Sequence, residues 1–517
     1  DAEAVAQVVT LALEFRRAFR RDVVIDMYAF RRRGHNETDE PSFTQPLLYA
    51  AIRRRPPVRE AYLKRLLALG EVTVEQAAEI EARRRGELER EFELSHAKGE
   101  PDPPEPVDPA GLAELWSRYR GGPEADVPEV DTGVDRGKLD ALLEATVRVP
   151  DGFTVHDKLR KLHEARRAMA RGEAPLDWAA GEALALATVA VNGHRVRLTG
   201  QDTERGTFSH RHAVLHDVET GETWEPLAHL TEAQGPVEVR NSPLSEVGCM
   251  GFEYGYSLSA PDALVAWEAQ FGDFANAAQV IIDQFLAASE VKWGMLSGLA
   301  LLLPHGFEGM GPEHSSARLE RFLMLAVRDN LQIAQPTTPA QLFHLLRRQV
   351  VRPWRKPLIV LTPKSMLRHP RAVSPLDDFA TGRFRRVLGD PLVPGARARR
   401  VVLTAGRLYY DLLAEREAKG RDDVALLRIE QFFPLPEADL SGALEGVAEG
   451  VPVRWVQDEP GNMGAWPHLR ARFGGRLVGR WEWAPVHREE SSSPATGSSA
   501  SHKLELRRLV ERAFGED

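Results

Sequence analysis

The segment Ser242-Pro-Leu-Ser-Glu246 sets one carboxylate at a turn, and Gly251-Phe-Glu-Tyr-Gly-Tyr256 puts a helix rich in small residues behind it. The apolar run Ala263-Leu-Val-Ala-Trp267 leads into Glu268-Ala-Gln-Phe-Gly-Asp-Phe274, so a buried strand ends beside two phenylalanines. A single Glu next to an aromatic platform suits a flat, weakly basic heterocycle. The carboxylate hydrogen-bonds a ring nitrogen while a phenyl ring stacks on the face. The same residues suit a plainer role, because Ser242 and Ser245 precede Glu246 and an acidic side chain favours the start of any helix.

Other polar groups gather at the ends of apolar runs. Gln201-Asp202 follows the run Val196-Arg-Leu-Thr199 and precedes Arg205-Gly-Thr-Phe-Ser-His-Arg-His212. Such composition is common in a strand-end loop. Read chemically, His210, Arg211 and His212 offer several donors to a dicarboxylate. The His-x-His pair is also half a metal site, but no Cys, Asp or Glu stands at a matching spacing, so substrate is favoured and no metal is assigned. His314, in Gly311-Pro-Glu-His-Ser-Ser316, opens a helix, where a solvated first-turn ring is the bland alternative. His35, in Gly34-His-Asn-Glu37, is comparable on a loop of its own. Arg31–Arg33 suits a solvated or acid-pairing run better than a phosphate clamp, and the glycines from Gly306 to Gly311 lack a nucleotide-loop pattern.

The elements that must position these groups are legible by period. Residues 2–20 and 57–97 are helical, Val23–Tyr28 is a short apolar strand, and Pro and Gly dominate from Lys98 to about Val134 (Pro101, Pro103, Pro104 and Pro106 among them). After a helix near Trp178–Val191, strand-like runs at 196–199, 263–267, 298–303, 331–334 and 358–361 alternate with helices. Thr338-Pro339 starts one helix, and Gly311-Pro312 opens another through Arg328. Unbroken apolar strands between helices imply a parallel, doubly wound α/β sheet covered on both faces. A stretch from Pro375 to Arg399 separates a smaller α/β domain with strands at 401–404, 424–428 and 453–456, and Ser491–Ser501 reads as a loop or irregular edge.

At 517 residues the chain has room for about three domains. Its net charge of −9 argues against a nucleic-acid surface. The lone Cys249 excludes an internal disulfide and fits a reducing compartment. No run of about 18 apolar residues is present, so no membrane span is expected. Without a signal peptide, a cytoplasmic, bacterial setting is expected. The opening at Asp1 directly into a helical pattern reads as a fragment of a longer chain.

Taken together, Arg31–Glu37, Thr44-Gln-Pro46, Gly200-Gln-Asp202, Gly206–His212, Ser242–Glu246, Gly311–His314, Arg352–Leu358, Thr362-Pro-Lys-Ser365, Gln457-Asp-Glu-Pro460 and Met463-Gly-Ala-Trp466 span nearly the whole chain. With these motifs the chain resembles the C-terminal portion of the decarboxylating first component in the 2-oxoglutarate dehydrogenase family of thiamin diphosphate (ThDP) enzymes. The resemblance implies a transketolase-like fold: residues 1–125 as the tail of a diphosphate-binding domain and its connection, 126–172 as a linker, 173–372 as a pyrimidine-binding domain, and 385–517 as a C-terminal domain. It implies that Glu246 bonds N1′ of the aminopyrimidine, that Leu244 holds the cofactor bent, and that Phe274 stacks on the ring. Two extra residues between Glu246 and the aromatic make Phe271 the fallback. Gln201 and Asp202 then belong to the cofactor loop, and His210 and His212 face the 2-oxo acid or the acyl group. His314 stands near the cofactor for acyl transfer to lipoamide, and His35 approaches from the other domain.

The family binds Mg²⁺ through a Gly-Asp-Gly motif and a later Asn, and no Gly-Asp-Gly occurs here. Those ligands are therefore expected on a portion N-terminal to this chain. The implied reaction is oxidative decarboxylation of 2-oxoglutarate with succinyl transfer to lipoamide. The implied partners are a second copy of the chain, a lipoyl-bearing dihydrolipoamide succinyltransferase and dihydrolipoamide dehydrogenase. Alternatives are a 2-oxoadipate dehydrogenase, a 2-oxoglutarate decarboxylase or carboligase, and, in another class, a non-catalytic scaffold subunit.

Overall fold

Five-residue apolar runs that alternate with helices bury both faces of every strand, and a mostly parallel sheet follows. In the computed structural model, residues 1–96 and 113–515 are described, and the chain divides into two units, 1–107 and 108–517. Pro101, Pro103, Pro104 and Pro106 of the expected connection lie outside the described residues.

In the first unit the opening helix runs over Ala2–Phe19, with the Asp1 carboxylate accepting from the Glu3 and Ala4 N–H groups at 3.1 Å. The helix expected over 57–97 is two helices, Val58–Leu69 and Val74–His96, divided at Gly70 with φ +73°. The strand expected at Val23–Tyr28 does not form, and Val24 and Tyr28 are 92% and 93% exposed. An apolar run without a neighbouring strand among the described residues has nothing to take up its N–H and C=O groups or to cover its side chains.

In the second unit we number the main strands β1 Val196–Gly200, β2 Val237–Asn241, β3 Leu264–Glu268, β4 Ala300–Pro304, β5 Gln332–Ala334, β6 Leu358–Thr362, β7 Arg400–Thr404, β8 Val424–Ile429, β9 Gln431–Phe433, β10 Val453–Pro460 and β11 Trp481–Arg488. The helices that bear on the site are α1 Trp178–Val191, α2 Glu246–Ser259, α3 Pro339–Val351 and α4 Ser499–Phe514. The first sheet has the order β9-β5-β6-β4-β3-β1-β2, parallel except for the antiparallel edge β9. The second sheet centres on parallel β11-β10-β7-β8, with short antiparallel strands at both edges. The alternation read from the sequence is thus realised, while β2, β9 and β11 were not legible from it.

Three local departures have physical causes. The helix expected from Gly311 to Arg328 becomes a single 3₁₀ turn at Pro312–His314 and a separate helix at Leu319–Leu325. Between them Ser315 Oγ donates to the Gly311 carbonyl at 2.7 Å and Ser316 Oγ accepts from the Arg318 N–H at 3.0 Å, side-chain bonds that compete with helix continuation. Residues 126–172, read as a linker, carry helices Arg136–Ala145 and Asp157–Ala170 and contribute Leu139, Leu142 and Leu143 to the core. The segment read as loop through Ser501 ends earlier, because Ser498 caps α4 by accepting from the Ser501 N–H.

β1 and β3 approach so closely at their carboxyl ends that a Cβ on Gly200 would stand 2.3 Å from the Glu268 carbonyl and 2.5 Å from Thr203 Oγ1. Gly200→Ala should therefore cost about 1–3 kcal/mol of overpacking strain. Denaturant unfolding checks this, and an unchanged midpoint would mean that the two strands can separate freely.

Candidate active site

Every candidate residue in the second unit lies at the carboxyl edge of the first sheet, where parallel α/β sheets hold ligands. Gln201 and Asp202 follow β1, Glu246 begins α2 after β2, Phe271 and Phe274 follow β3, and His314 follows β4. The register pairs Gly200 with both Asn241 and Glu268, so the turns after β1, β2 and β3 leave the sheet at one level.

Glu246 is half-buried in the first turn of α2, and no side chain among the described residues hydrogen-bonds its carboxylate. Leu244, just before it, is 56% exposed. Helix α2 packs against the helical turn Gly272–Ala278 that carries Phe274. Phe271 meets Phe274 edge-on at 5.9 Å between ring centroids, Phe208 at 5.7 Å, and the His314 imidazole at 4.2 Å. Phe274 and His314 are 6.3 Å apart. The two aromatics and His314, separate in sequence, form one cluster with Phe271 at its centre.

Gln201 is exposed, and Asp202 is ion-paired with Arg205. Behind them the loop 203–212 is pinned from inside. Arg211, read from the sequence as a substrate donor, is instead buried and fully engaged. Its Nε and Nη2 donate to Glu182 on α1 at 2.6 and 2.9 Å, its Nη1 and Nη2 donate to Glu268 at the end of β3 at 2.7 Å each, and Nη1 reaches the Thr203 carbonyl at 2.9 Å. All five N–H groups are used, so none is left for a ligand. Burial pushes the Glu182 carboxyl up, but Arg211 outweighs it and holds Glu182 below its usual range. For Glu268 burial prevails over Arg211, and the nearby Glu182 charge adds to the rise.

His210 is buried, and its Nδ1 has no hydrogen-bond partner among the described residues. Its pKa is pushed down to about 3, by burial first and then by the Arg211 cation. Glu182, His210 and Glu268 do bring ligand atoms within 4.8 Å of one another, although nothing at local spacing suggested it. Both carboxylates are already committed to Arg211, which leaves a cation little to coordinate. His212 is half-buried with φ +48°, and its Nε2 lies 2.9 Å from Ser209 Oγ. Arg166, itself buried, donates to the carbonyls of residues 210 and 211 at 3.3 Å, and the exposed Arg368 donates to those of Phe208 and Ser209 at 2.8 and 2.9 Å.

His35 lies in the first unit, exposed on its loop, where its backbone N–H donates to Asp39 Oδ2 at 2.9 Å. Among residues that sequence reasoning passed over, Glu182, Glu268, Arg166, Phe208 and Lys364 matter most. The only available signal was a charged residue inside an otherwise apolar helix or strand, as for Glu182 and Glu268.

Comparison with known proteins gives three family matches. Residues 174–370 match the transketolase pyrimidine-binding domain, 373–514 the 2-oxoglutarate dehydrogenase C-terminal domain, and 1–104 the dehydrogenase E1 component. A 2-oxoglutarate dehydrogenase E1 component of Azotobacter vinelandii is 45% identical over 520 residues, covering 99% of this chain and 54% of the relative. Those of Cupriavidus necator and Brucella ovis are 43% and 45% identical, covering all of this chain and 54% and 52% of theirs. The chain spans about half the length of the curated relatives it matches.

Two outcomes follow from the buried network. Arg211→Met strands two carboxylates without their cation and should cost about 3–5 kcal/mol at neutral pH, the loss shrinking as acid neutralises them. Chemical denaturation at two pH values measures this, and a loss under about 1 kcal/mol would refute the clamp. For His210 the folded pKa lies below the ordinary imidazole value. The unfolded chain therefore takes up a proton that the fold refuses, and this share of stability is complete above about pH 6.5 and lost as pH falls toward 3. In NMR the His210 ring should not titrate between about pH 8 and 5, and an ordinary midpoint near 6.5 would contradict its burial.

Proposed function

We propose that this chain, which belongs to the 2-oxoglutarate dehydrogenase E1 family, supplies the pyrimidine-binding half of a ThDP site. In the complete enzyme that site serves oxidative decarboxylation of 2-oxoglutarate, with transfer of the succinyl group to the lipoyl arm of a succinyltransferase. The observation that carries the reading is Glu246: a carboxylate unclaimed among the described residues, at the carboxyl edge of a parallel sheet, beside an aromatic cluster.

The residues present fit an aminopyrimidine ring. Glu246 accepts from or gives a proton to the ring nitrogen N1′, Phe274 covers one face with Phe271 as the alternative, and Leu244 presents an apolar surface that favours a bent cofactor. Gln201 and Asp202 line the approach from β1. When bound, ThDP supplies the nucleophilic carbon that attacks the 2-oxo group and takes up the electrons left as CO₂ departs. The chain's own residues hold the reactants and handle protons.

His210 and His212 meet the substrate carboxylates as neutral rings, since burial lowers the pKa of both. His314 has no hydrogen bond to its ring among the described residues, so its nitrogens are available to hold or move a proton as the acyl group leaves for lipoamide. His35, on its own loop in the first unit, is assigned a catalytic role in the complete enzyme.

We assign residues 1–125 to the tail of the diphosphate-binding domain and its connection, 126–172 to a linker, 173–372 to the pyrimidine-binding domain and 385–517 to the C-terminal domain. Mg²⁺ is assigned to ligands beyond these 517 residues. The working unit is a homodimer in complex with the succinyltransferase and dihydrolipoamide dehydrogenase, placed in the cytoplasm. No helix among the described residues is long and apolar enough to cross a membrane.

In the full-length enzyme Glu246→Gln should leave the fold intact, slow hydrogen–deuterium exchange at C2 of bound ThDP, and reduce turnover at least ~10²-fold. Unchanged exchange in the variant would rule Glu246 out of this role.

A further inference from the structure

His314 stands on a loop, residues 305–316, that returns to the first sheet's edge after β4. Among the described residues its ring is held by packing alone, against Phe271 and Phe274, so the loop's frame decides where the imidazole points. That frame is built by both sheets, and the second sheet orients the imidazole at its base. His305, at the base of the loop, is buried, with Nε2 2.9 Å from Glu459 Oε1 at the carboxyl end of β10. Its Nδ1 accepts the Ala317 N–H at 3.0 Å, which fixes Nε2 as the protonated nitrogen and Glu459 as the acceptor. One imidazole thus ties the two ends of the loop together, and Glu459 sets its tautomer and orientation.

The neighbouring Asp458 works on the next stretch. Its carboxylate lies 3.6 Å from Arg407 and 3.3 Å from Arg488. Arg407 donates to the Phe307 carbonyl at 3.3 Å, and the Arg488 guanidinium sits 5.7 Å from the centre of the Phe307 ring. Further along, a Cβ on Gly309 would touch Ser499 and His502 of α4 at 3.4 Å. The loop is also held from the first sheet: the His305 N–H donates to the Thr362 carbonyl of β6 at 2.8 Å, the Glu308 carboxylate accepts from the Ser365 N–H and hydroxyl at 3.0 and 2.7 Å, and Lys364 donates to the His314 carbonyl.

We infer that Asp458 and Glu459 are positioning residues for His314: from the C-terminal sheet they hold the loop that carries it and so govern acyl transfer without touching substrate. This rests on the role given to His314 above. Electrostatic and hydrogen-bond anchoring of this kind matters because displacement of a reacting group by about 1 Å costs up to about 10²-fold in rate.

The test uses the full-length enzyme with its lipoyl-bearing partner and separates two half-reactions. Ferricyanide-linked oxidation of 2-oxoglutarate reports decarboxylation, and mass spectrometry of the lipoyl domain reports succinyl transfer. Glu459→Ala should slow succinyl transfer on the order of 10-fold or more while decarboxylation changes about 2-fold or less. Glu459→Gln should recover most of the loss, because its amide oxygen still accepts from His305. In a His314→Ala background Glu459→Ala should add nothing, the signature of action through one group. If Glu459→Ala does not fold, Asp458→Asn, which removes the charge facing Arg407 and Arg488, should give the same split between the half-reactions and the same lack of effect in a His314→Ala background. Equal loss of both half-reactions, no recovery by Gln, or multiplicative losses with His314→Ala would overturn the inference. A His314→Ala enzyme with both half-reactions intact would instead remove the role assigned to His314, and the inference with it.

Discussion

The buried ion cluster around Arg211 is the constraint on which the site's geometry rests. One guanidinium joins Glu182 of α1, Glu268 at the end of β3, and the Thr203 carbonyl after β1. Moving such ions out of water costs several kcal/mol each, and the cluster is tolerable only because every donor of the guanidinium is matched. The outcome is geometric as much as energetic. The turn after β1, the turn after β3 and the first-layer helix α1 are locked to each other a few residues from Gln201, His210, Phe271 and Phe274. A mobile loop over the same residues could not hold an aromatic face and two imidazoles in a repeatable arrangement.

Neutrality is the electrostatic consequence. Burial first, and then the Arg211, Arg166 and Arg368 cations around it, lower the pKa of His210 to about 3, and His163 is likewise lowered to about 4 by burial and by the neighbouring Arg166. A region lined by neutral imidazoles and backed by internally paired ions leaves half-buried Glu246 as an anionic group of the edge without a side-chain partner among the described residues. That is the arrangement in which a weakly basic ring nitrogen finds a strong partner in the carboxylate.

The two sheets are not independent supports. Strand β9 follows β8 of the second sheet directly yet pairs antiparallel with β5 of the first. Between them Glu430 is fully buried, accepting from the Thr337 N–H at 2.8 Å and from the Thr337 hydroxyl. The same joining of sheets recurs at β10, whose Asp458 and Glu459 reach the loop after β4. The C-terminal sheet therefore bears on the arrangement of the first sheet's edge through short, desolvated polar contacts, which are strong in low dielectric and intolerant of displacement.

Local pattern was enough for the elements whose identity lies in their own residues. Apolar runs at 196–199, 358–361 and 401–404 specify buried parallel strands, and Thr338-Pro339 specifies the start of α3 with its cap bond from Gln341 N–H. Motif spacing likewise put Glu246, Phe274 and His314 forward, because strand ends and helix starts are local features. Interactions across distant segments were not legible. Arg211 looked like a ligand donor until Glu182 and Glu268, 29 and 57 residues away, claimed it. Val23–Tyr28 looked like a strand because propensity cannot say whether a neighbour exists. The helix after Gly311 looked continuous because Ser315, Ser316 and His305 break it with bonds that period does not encode. The sequence by itself determined which short segments are apolar strands, where helices begin, and which residues reach the sheet's edge. Only the tertiary structure decided which charges are spent inside the protein and which remain for a ligand, since desolvation and pairing depend on residues that meet only after the chain has folded.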